Sequence, residues 1–544
     1  MPITIVPTRA FADQRPGTAG LRKRVATFRQ PHYLENFVQA IVDAVPELRG
    51  GSVVIGGDGR FWCTDAARIA LRVLAANGVA RASVAKDGLL STPAASMEIR
   101  ARGATGGLLL TASHNPGGPE GDFGVKYNVT SGGQAAESLT ERIHARAREL
   151  HRYKTLEGEP DVELDELGRQ ALGPMEVEVF DPVPAYADAL ERLFDFDRIR
   201  AALRAGLRVH FDAMSAVTGP FAEELLVRRL GLPPSAITNG RPLPDFGGRH
   251  PDPSPQTCPQ LVALASRNDA PDLIAASDGD GDRNLIMGRG CLVSPGDSLA
   301  LLAAHAHRLP GYCGGLAGVA RSMPTSRAVD RVADRLGIPC YETPTGWRYF
   351  CNLLEAGRIT LCGEESFGTS SAHAREKDGL WAVLAWLDLL AATRRSVAEL
   401  LHHHWREHGR DYFAREDWRL ADAALGQRVI DDLRAAAPTL AGRSVGGLSV
   451  ASADSFRYLD PVDGSTSKDQ GLRIHYADGS RAVLRLSGTD TAGATLRVYL
   501  ERHAPPGADH DRVPLDALGE VAVATHALAQ LRELTGLAGP KQVV

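Results

Sequence analysis

"GSVVIGGDG" (residues 51–59), followed by "TDAARIALRVLAANG" (64–78), decides the fold. The first stretch is a short apolar run rich in β-branched residues and closed by glycines, which reads as a strand ending in a turn. The second carries its apolar residues at helical spacing, with Thr64 placed to cap the helix and Gly78 to end it. "ASVAKDG" (82–88) and "GGLLLTASHN" (106–115) read as further strands with turn-forming exits. Strand–helix alternation of this kind implies α/β layers around a largely parallel or mixed sheet. The alternation recurs in "LRVHFDAMSAVTGP" (207–220) with the helix "FAEELLVRRLG", in "DLIAASDGDGDR" (272–283), and in "AGVARSMPTSRAVDRVADRLG" (317–337). No tandem repeat is visible residue by residue, although the three units are of similar length. After about residue 410 the texture changes. "LRIHYADGSRAVLRLSG" (472–488) reads as a hairpin around Asp478-Gly479, "TLRVYLE" as another strand, and "LGEVAVATHALAQLRELTG" as a closing helix, which makes a final α+β domain. The polar stretches 151–175 and 408–416 read as links.

Length and charge bound the function classes. At about 150 residues per domain, 544 residues make three or four domains. A net charge of −5 gives no basic field for nucleic acid. No apolar run approaches the ~20 residues that cross a bilayer, and "MPITIVPTRAFADQRPG" shows no export signal. Seven cysteines (63, 258, 291, 313, 340, 351 and 362), none in a CxxC pair, read as reduced thiols, so a cytoplasmic enzyme is expected. Only seven of the 61 basic residues are lysines, so a lysine inside a motif stands out.

The chemistry-bearing residues cluster at strand exits. In "LLLTASHNPGGPEGDFGVKYN" (108–128), Ser113 ends an apolar run and enters a tight turn. The Gly-x-Ser-x-Gly elbow of esterases is absent, and an ordinary strand exit and a displayed serine both fit. In "DGDGDR" (278–283), Asp278, Asp280 and Asp282 alternate with glycine. The stretch is either a solvated acidic turn or a metal loop: crowded carboxylates repel unless a cation joins them, and all-oxygen ligands favour Mg²⁺ or a similar hard ion. An EF-hand would need Gly and Glu where this chain has Arg283 and Arg289. Arg283 beside such an ion suggests that phosphate comes close. "RLSGTDTAGATLR" (485–497) is either a plain hairpin or an anion nest: small residues let backbone N–H groups converge, and Arg485 and Arg497 offer planar forks. "LCGEESFGTSS" (361–371) sets Glu364, Glu365 and Ser366 between glycines, either an acidic turn at a helix N-terminus or acceptors that suit sugar hydroxyls. "HAREKDGLWAVLAWLDLL" follows with Lys377 and a buried helix, and "PTGWRYF" (344–350) brings Thr345 and Gly346 to another turn. Open α/β sheets bind ligands at such exits.

Taken together, "TASHNPGGPEGDFGVKYN", "DGDGDRN", "PTGW", "GEESFGT", "REKDGLWAVLAW" and "RLSGT" stand in the order of one family, and the chain resembles the α-D-phosphohexomutases. Within them it is similar to the phosphoglucomutase branch through "RPGTAGLRKRV", "GGDGRFW", "DFGGRHPDP", "ARSMPTS" and "DPVDGSTSKDQGLR", so the likeness runs almost end to end.

The resemblance implies three related α/β domains with mixed sheets and a C-terminal α+β domain around a central cleft, expected at residues 1–180, 181–303, 304–408 and 409–544. It implies interconversion of glucose 1-phosphate and glucose 6-phosphate through a phosphoserine at Ser113 and a glucose 1,6-bisphosphate intermediate. One Mg²⁺ would be held by Asp278, Asp280, Asp282 and an oxygen on Ser113. Lys377 would move the proton, His114, Lys126 and Arg22 would assist at the phosphoserine, and Arg283 would supply positive charge. Glu364 and Ser366, with Thr18, Thr345 and Gly346 nearby, would hold the sugar, and Arg485, Ser487, Gly488, Thr489 and Arg497 the phosphate that is not reacting. The partners implied are sugar phosphates, not nucleic acid or membrane, with the chain a monomer or weak dimer. Ala19, Arg348 and Asp490 depart from the family pattern. The alternatives are a non-catalytic sugar-phosphate binder or scaffold, a phosphomannomutase-type enzyme of broader specificity, and a metal-dependent phosphatase.

Overall fold

The computed structural model describes every residue except Met1, Thr18, residues 159–160 and 488–493, and Val544. Three of its sheets share one order of four strands. In the first, Arg81–Leu89, Ser52–Gly57 and Gly106–Leu110 run parallel, and Asp122–Val129 joins them antiparallel to Gly106–Leu110. The second repeats this with Ile237–Thr238, Val209–Asp212, Leu273–Ser277 and Asn284–Gly288. The third uses Cys340–Thr343, Val319–Ser322, Leu361–Glu364 and Gly368–Ser371. The spatial order is second, first, third, fourth each time. Each time, too, the hairpin between third and fourth strands is one of the loaded loops: Ser113, DGDGDR, GEESFG. The repeat thus exists in topology and not in residues. A buried strand and an amphipathic helix accept many side chains, so the fold outlasts the letters.

The first sheet is widened to seven strands by Leu21–Arg24 on one edge and by Met175–Phe180 and Gly168–Leu172 on the other. The C-terminal sheet is antiparallel throughout and built on the long pair Arg410–Leu420 and Ala494–Ala504. Its hairpin turns at Asp478-Gly479 as expected, with Gly479 at φ +86°.

Four local readings differ. The supposed link 151–175 contains Arg152–Leu156, which pairs with Ile3–Pro7, and the edge strand Gly168–Leu172. The supposed link up to residue 416 ends at Gly409, because Arg410–Leu420 is a central strand. Its charges are satisfied across the fold, Asp411 by both guanidinium arms of Arg331 and Glu416 by Trp418 and His526. Thr64 lies inside the helix Cys63–Ala76, which starts one residue earlier behind a left-handed Trp62 with no side-chain cap. The helix expected at "FAEELLVRRLG" (221–231) begins earlier, as Thr218–Ala222, and continues as a π-helical stretch, Glu223–Arg229.

At the centre of the molecule lies the helix Gly379–Thr393, buried on every side over Gly379–Ala391. A helix apolar all round must sit inside. Its one buried carboxylate, Asp388, is satisfied by Arg198. Asp378 caps it by accepting from the Trp381 N–H, and also receives the Tyr186 hydroxyl. This fixes the residue just before the cap, Lys377.

Two helices, Pro295–His305 and Val397–His408, face each other with histidines between them. Burial, helped by His408 and His305, pushes His404 down to about 3; burial and Arg308 push His305 down to about 4. Asp297, on the first helix, is pushed up to about 6 by burial. The unfolded chain takes up these histidine protons below about 6.5 while the folded chain does not, so acid lowers stability between about pH 6.5 and 4. Asp297 acts oppositely, because the folded form binds its proton first between about pH 6 and 4. Two histidines outweigh one carboxylate, so the melting temperature is expected to be lower at pH 5 than at pH 7. His404→Leu should shrink that difference, and an unchanged difference would show that His404 does not cause it.

Candidate active site

Ser113 leaves the strand Gly106–Leu110 in a left-handed conformation, φ +51°. The turn is held by a buried brace. Arg60 forks onto Asp58, donates to the carbonyl of Ser113 at 2.7 Å and to that of Asp122 at 2.8 Å, and lies over the Phe246 ring. Thr111 donates to Asp58 at 2.6 Å and accepts from the Ser113 N–H at 2.7 Å. The brace comes from "GGDGRFW", a string that carried the resemblance but no role. Ser113 Oγ then points across to the second unit and donates to Asp278 at 3.0 Å.

The three aspartates offer oxygens within 4.8 Å of one another, all buried. Asp278 accepts the N–H groups of Asp282 and Arg283 with its second oxygen. Asp280 accepts from Thr92 of the first unit at 2.8 Å, and Asp282 accepts Lys377 of the third at 3.1 Å. One oxygen on Asp280 and one on Asp282 are buried without any hydrogen bond among the described residues. Orphaned anionic oxygens of this kind cost free energy unless a cation meets them. A hard divalent ion suits the donor set. Burial and the two neighbouring aspartates hold Asp278 well above the usual carboxylate range. Burial also acts against charge on Asp280, but Lys126, Arg22 and Lys377 outweigh it and its carboxyl lies below the usual range. Glycine is required inside this loop: a Cβ on Gly279 would fall 2.4 Å from the Ser113 carbonyl, and Gly281 sits at φ +80°.

Cations ring the acidic centre. Lys377 Nζ lies 3.1 Å from Asp282 and 3.2 Å from Glu364. Burial opposes its charge, but the two carboxylates more than offset this and raise it above the ordinary lysine value. Arg283 is raised likewise against burial, chiefly by Asp252, which it meets at 2.9 Å. Lys126 Nζ pairs at 3.0 Å with Glu376, which is fully buried and also receives the amides of Asn128 and Gln134. Arg22, on the edge strand, is lowered by burial in spite of Asp280 and Asp282, and its Nε makes no hydrogen bond among the described residues. His114 turns its Nδ1 towards Asp252 at 3.9 Å; burial and then Arg283 hold it neutral, well below the usual histidine value.

In the third unit, Glu364 ends a strand beside Lys377, and Ser366 is half-buried next to it. Thr345 presents a buried hydroxyl with no hydrogen bond among the described residues, and Gly346 takes φ +127°. Arg348 pairs with Glu137 of the first unit at 3.0 Å and stacks on Tyr349. Arg348 therefore bridges the first and third units. Ala19 is half-buried. In the C-terminal domain, Arg485 donates to the Gln470 carbonyl at 3.3 Å, Arg497 lies 3.7 Å from Asp417, and Ser487 ends its strand. Thr18, Gly488, Thr489 and Asp490 lie outside the described residues.

The structure thus brings Ser113, His114, Lys126, Arg22, the aspartates, Arg283, Lys377 and Glu364 into one electrostatic cluster. The positioning residues Asp58, Arg60, Thr92, Asp252 and Glu376 were not read as functional from sequence. The signal for all but Thr92 is present in "GGDGRFW", "DFGGRHPDP" and "REKDG", but a contact between residues far apart in the chain has no local pattern.

Comparison with known proteins follows the same division. Four family descriptions match in succession: phosphoglucomutase/phosphomannomutase α/β/α domain I over residues 13–154, domain II over 184–290, domain III over 295–408, and the phosphoglucomutase-1 C-terminal domain over 410–541. A phosphoglucomutase of Rhizobium radiobacter is 49% identical over 538 residues, covering 99% of each chain. Phosphoglucomutase-1 of Oryctolagus cuniculus is 44% identical over 562 residues, again with 99% of both covered. The crystal structure of the exocytosis-sensitive phosphoprotein pp63/parafusin, a phosphoglucomutase from Paramecium in its open form, superposes with a TM-score of 0.91 at 39% identity, over 100% of this chain and 99% of that one.

Proposed function

Because this chain belongs to the phosphoglucomutase/phosphomannomutase family, we propose that Ser113 is the residue through which it interconverts glucose 1-phosphate and glucose 6-phosphate. The enzyme is a mutase of the phosphoglucomutase type. The observation that carries the role of Ser113 is its hydroxyl at 3.0 Å from Asp278, within the acidic triad and at the end of a braced turn. Phosphorylated Ser113 gives its phosphoryl group to the free hydroxyl of a sugar phosphate. The bond from phosphorus to the seryl oxygen breaks, a bond to the sugar oxygen forms, and glucose 1,6-bisphosphate results. After the bisphosphate reorients, the seryl oxygen takes the other phosphoryl group and the isomer leaves.

The chain's own groups supply alignment and charge, which dominate phosphoryl transfer. Nζ of Lys377 carries a proton for the seryl oxygen as its bond breaks and accepts one from the sugar hydroxyl as the new bond forms. Arg22, Lys126 and Arg283 offset the charge spread over the transferring oxygens, and His114, neutral, is an auxiliary residue beside them. Glu364 and Ser366, with Thr345 and Gly346, hold the sugar's hydroxyls in either orientation. Arg485, Ser487 and Arg497, with Gly488 and Thr489, grip the distal phosphate. Asp278, Asp280 and Asp282 would hold one Mg²⁺, which supplies Lewis-acid polarisation of the phosphoryl oxygens when bound.

Incubation of the phosphorylated protein with glucose 1-phosphate, Mg²⁺ and a trace of glucose 1,6-bisphosphate is expected to give glucose 6-phosphate with little free phosphate. No product would sink the mutase reading, and mainly free phosphate would favour a phosphatase. Mannose 1-phosphate in the same assay tests specificity at the sugar's second hydroxyl.

A further inference from the structure

Glu365 stands between Glu364 and Ser366, yet it does not share their direction. It is buried, and its two carboxylate oxygens are claimed from two sides. Tyr499 of the C-terminal sheet donates its hydroxyl to one at 3.1 Å, and Ser322, at the exit of the third unit's first strand, donates to the other at 3.1 Å. Ser322 also shares a 2.7 Å hydrogen bond with Thr325. The turn that carries both is itself clamped by the C-terminal domain, because Arg481 donates to the carbonyls of Met323 and Thr325 at 3.0 and 2.8 Å. Arg481 is buried and held by Glu501. The C-terminal domain therefore reaches Glu365 twice, directly through Tyr499 and indirectly through the Ser322 turn. Met323, Tyr349, Phe456, Tyr458, Val483 and Tyr499 pack around this junction and keep water from it.

Tyr499 lies two residues from Arg497 on one strand, so both side chains face the same side of the sheet. On the far side of Glu365, the Phe367 carbonyl accepts two N–H groups of Asn284, next to Arg283, and Phe367 itself is forced to φ +64°. The Glu364–Ser366 segment is thus pinned at one end to the metal-loop hairpin and in its middle to the phosphate-gripping domain.

We propose that Glu365 is a positioning residue that sets Glu364 and Ser366 on the sugar according to the placement of the C-terminal domain, with Tyr499 as the link. This inference rests on the mutase reading above. A buried carboxylate oxygen that loses its donor keeps its desolvation cost, so Tyr499→Phe, which removes one oxygen and preserves shape, leaves the loop without its register. In the full-length enzyme, Tyr499→Phe is expected to lower kcat/KM for glucose 1-phosphate about tenfold while the melting temperature falls by no more than a few degrees, so that the variant stays folded under assay. Combined with Glu364→Gln, the loss should not multiply, because both changes act on the same loop. Ser322→Ala frees the other oxygen and should give a loss of similar size, which keeps the test decisive if Tyr499→Phe folds poorly. Activity within twofold of the parent in the folded variants, or losses that multiply fully in the double variant, would overturn the proposal. The unmodified enzyme is assayed first. Its inactivity would count against the mutase reading, whereas an active parent with an unaffected Tyr499→Phe counts against the coupling alone.

Discussion

Ser113→Ala is expected to lower turnover of glucose 1-phosphate at least about 10⁴-fold, because it deletes the atom that the phosphoryl group leaves and rejoins. The surrounding groups could still bind substrate, but among the described residues no other side-chain hydroxyl donates to Asp278, that of Thr92 meeting Asp280 instead. The substitution is also a clean one structurally. The turn is held by Arg60, Asp58 and Thr111 through the backbone of residue 113, not through its hydroxyl. The lost side-chain bond, to Asp278, is one hydrogen bond. The melting temperature should therefore remain close to that of the parent while activity vanishes, and intact-mass analysis should show no phosphate acquired on incubation with glucose 1,6-bisphosphate. A variant that kept more than a few per cent of the activity, or still became phosphorylated, would show that the nucleophile lies elsewhere.

Removing divalent cations with a chelator is expected to cost a comparable amount, about 10³-fold or more in turnover, restored by adding Mg²⁺. The reasoning starts from the buried oxygens of Asp280 and Asp282 that meet no donor. Three buried carboxylates within 4.8 Å repel one another, and among the described residues the cation in direct ion-pair contact with the set is Lys377, through Asp282. Asp280→Asn keeps the size of the side chain and an acceptor for Thr92 but deletes one negative charge, so it should weaken the site and lower activity at a fixed Mg²⁺ concentration, partly recoverable by raising that concentration. Since a cation binds the folded site and not the unfolded chain, Mg²⁺ should also raise the parent's melting temperature, and raise it less in Asp280→Asn. Full turnover in chelator, or a melting temperature indifferent to Mg²⁺, would remove the metal from the account.

Much of this was legible in the letters, and the reasons differ from element to element. Strands such as Gly106–Leu110 and Leu273–Ser277 are fully buried apolar runs, and glycine marks their exits. Helix Gly379–Thr393 announces itself by being apolar all round. The strand Arg410–Leu420 does not, since its sequence is mostly polar and its burial depends on partners such as Arg331, some 80 residues earlier. Lys377 stands out as a candidate because lysine is scarce here and this one sits in a motif. Glu376, one residue before it, was passed over because nothing local shows that it faces Lys126 across the molecule.

By itself the sequence determined the α/β class, the four-part order and which residues are candidates for the reaction, because periodicity, turn chemistry and short motifs are local and survive in one dimension. Only the tertiary structure decided which carboxylates pair with which cations, that Arg60 braces Ser113, that three units share one strand order, and that Glu365 turns away from the sugar loop's other acceptors. Those are facts about distance, and charges interact through space as the inverse of their separation, with no regard for how far apart they lie along the chain.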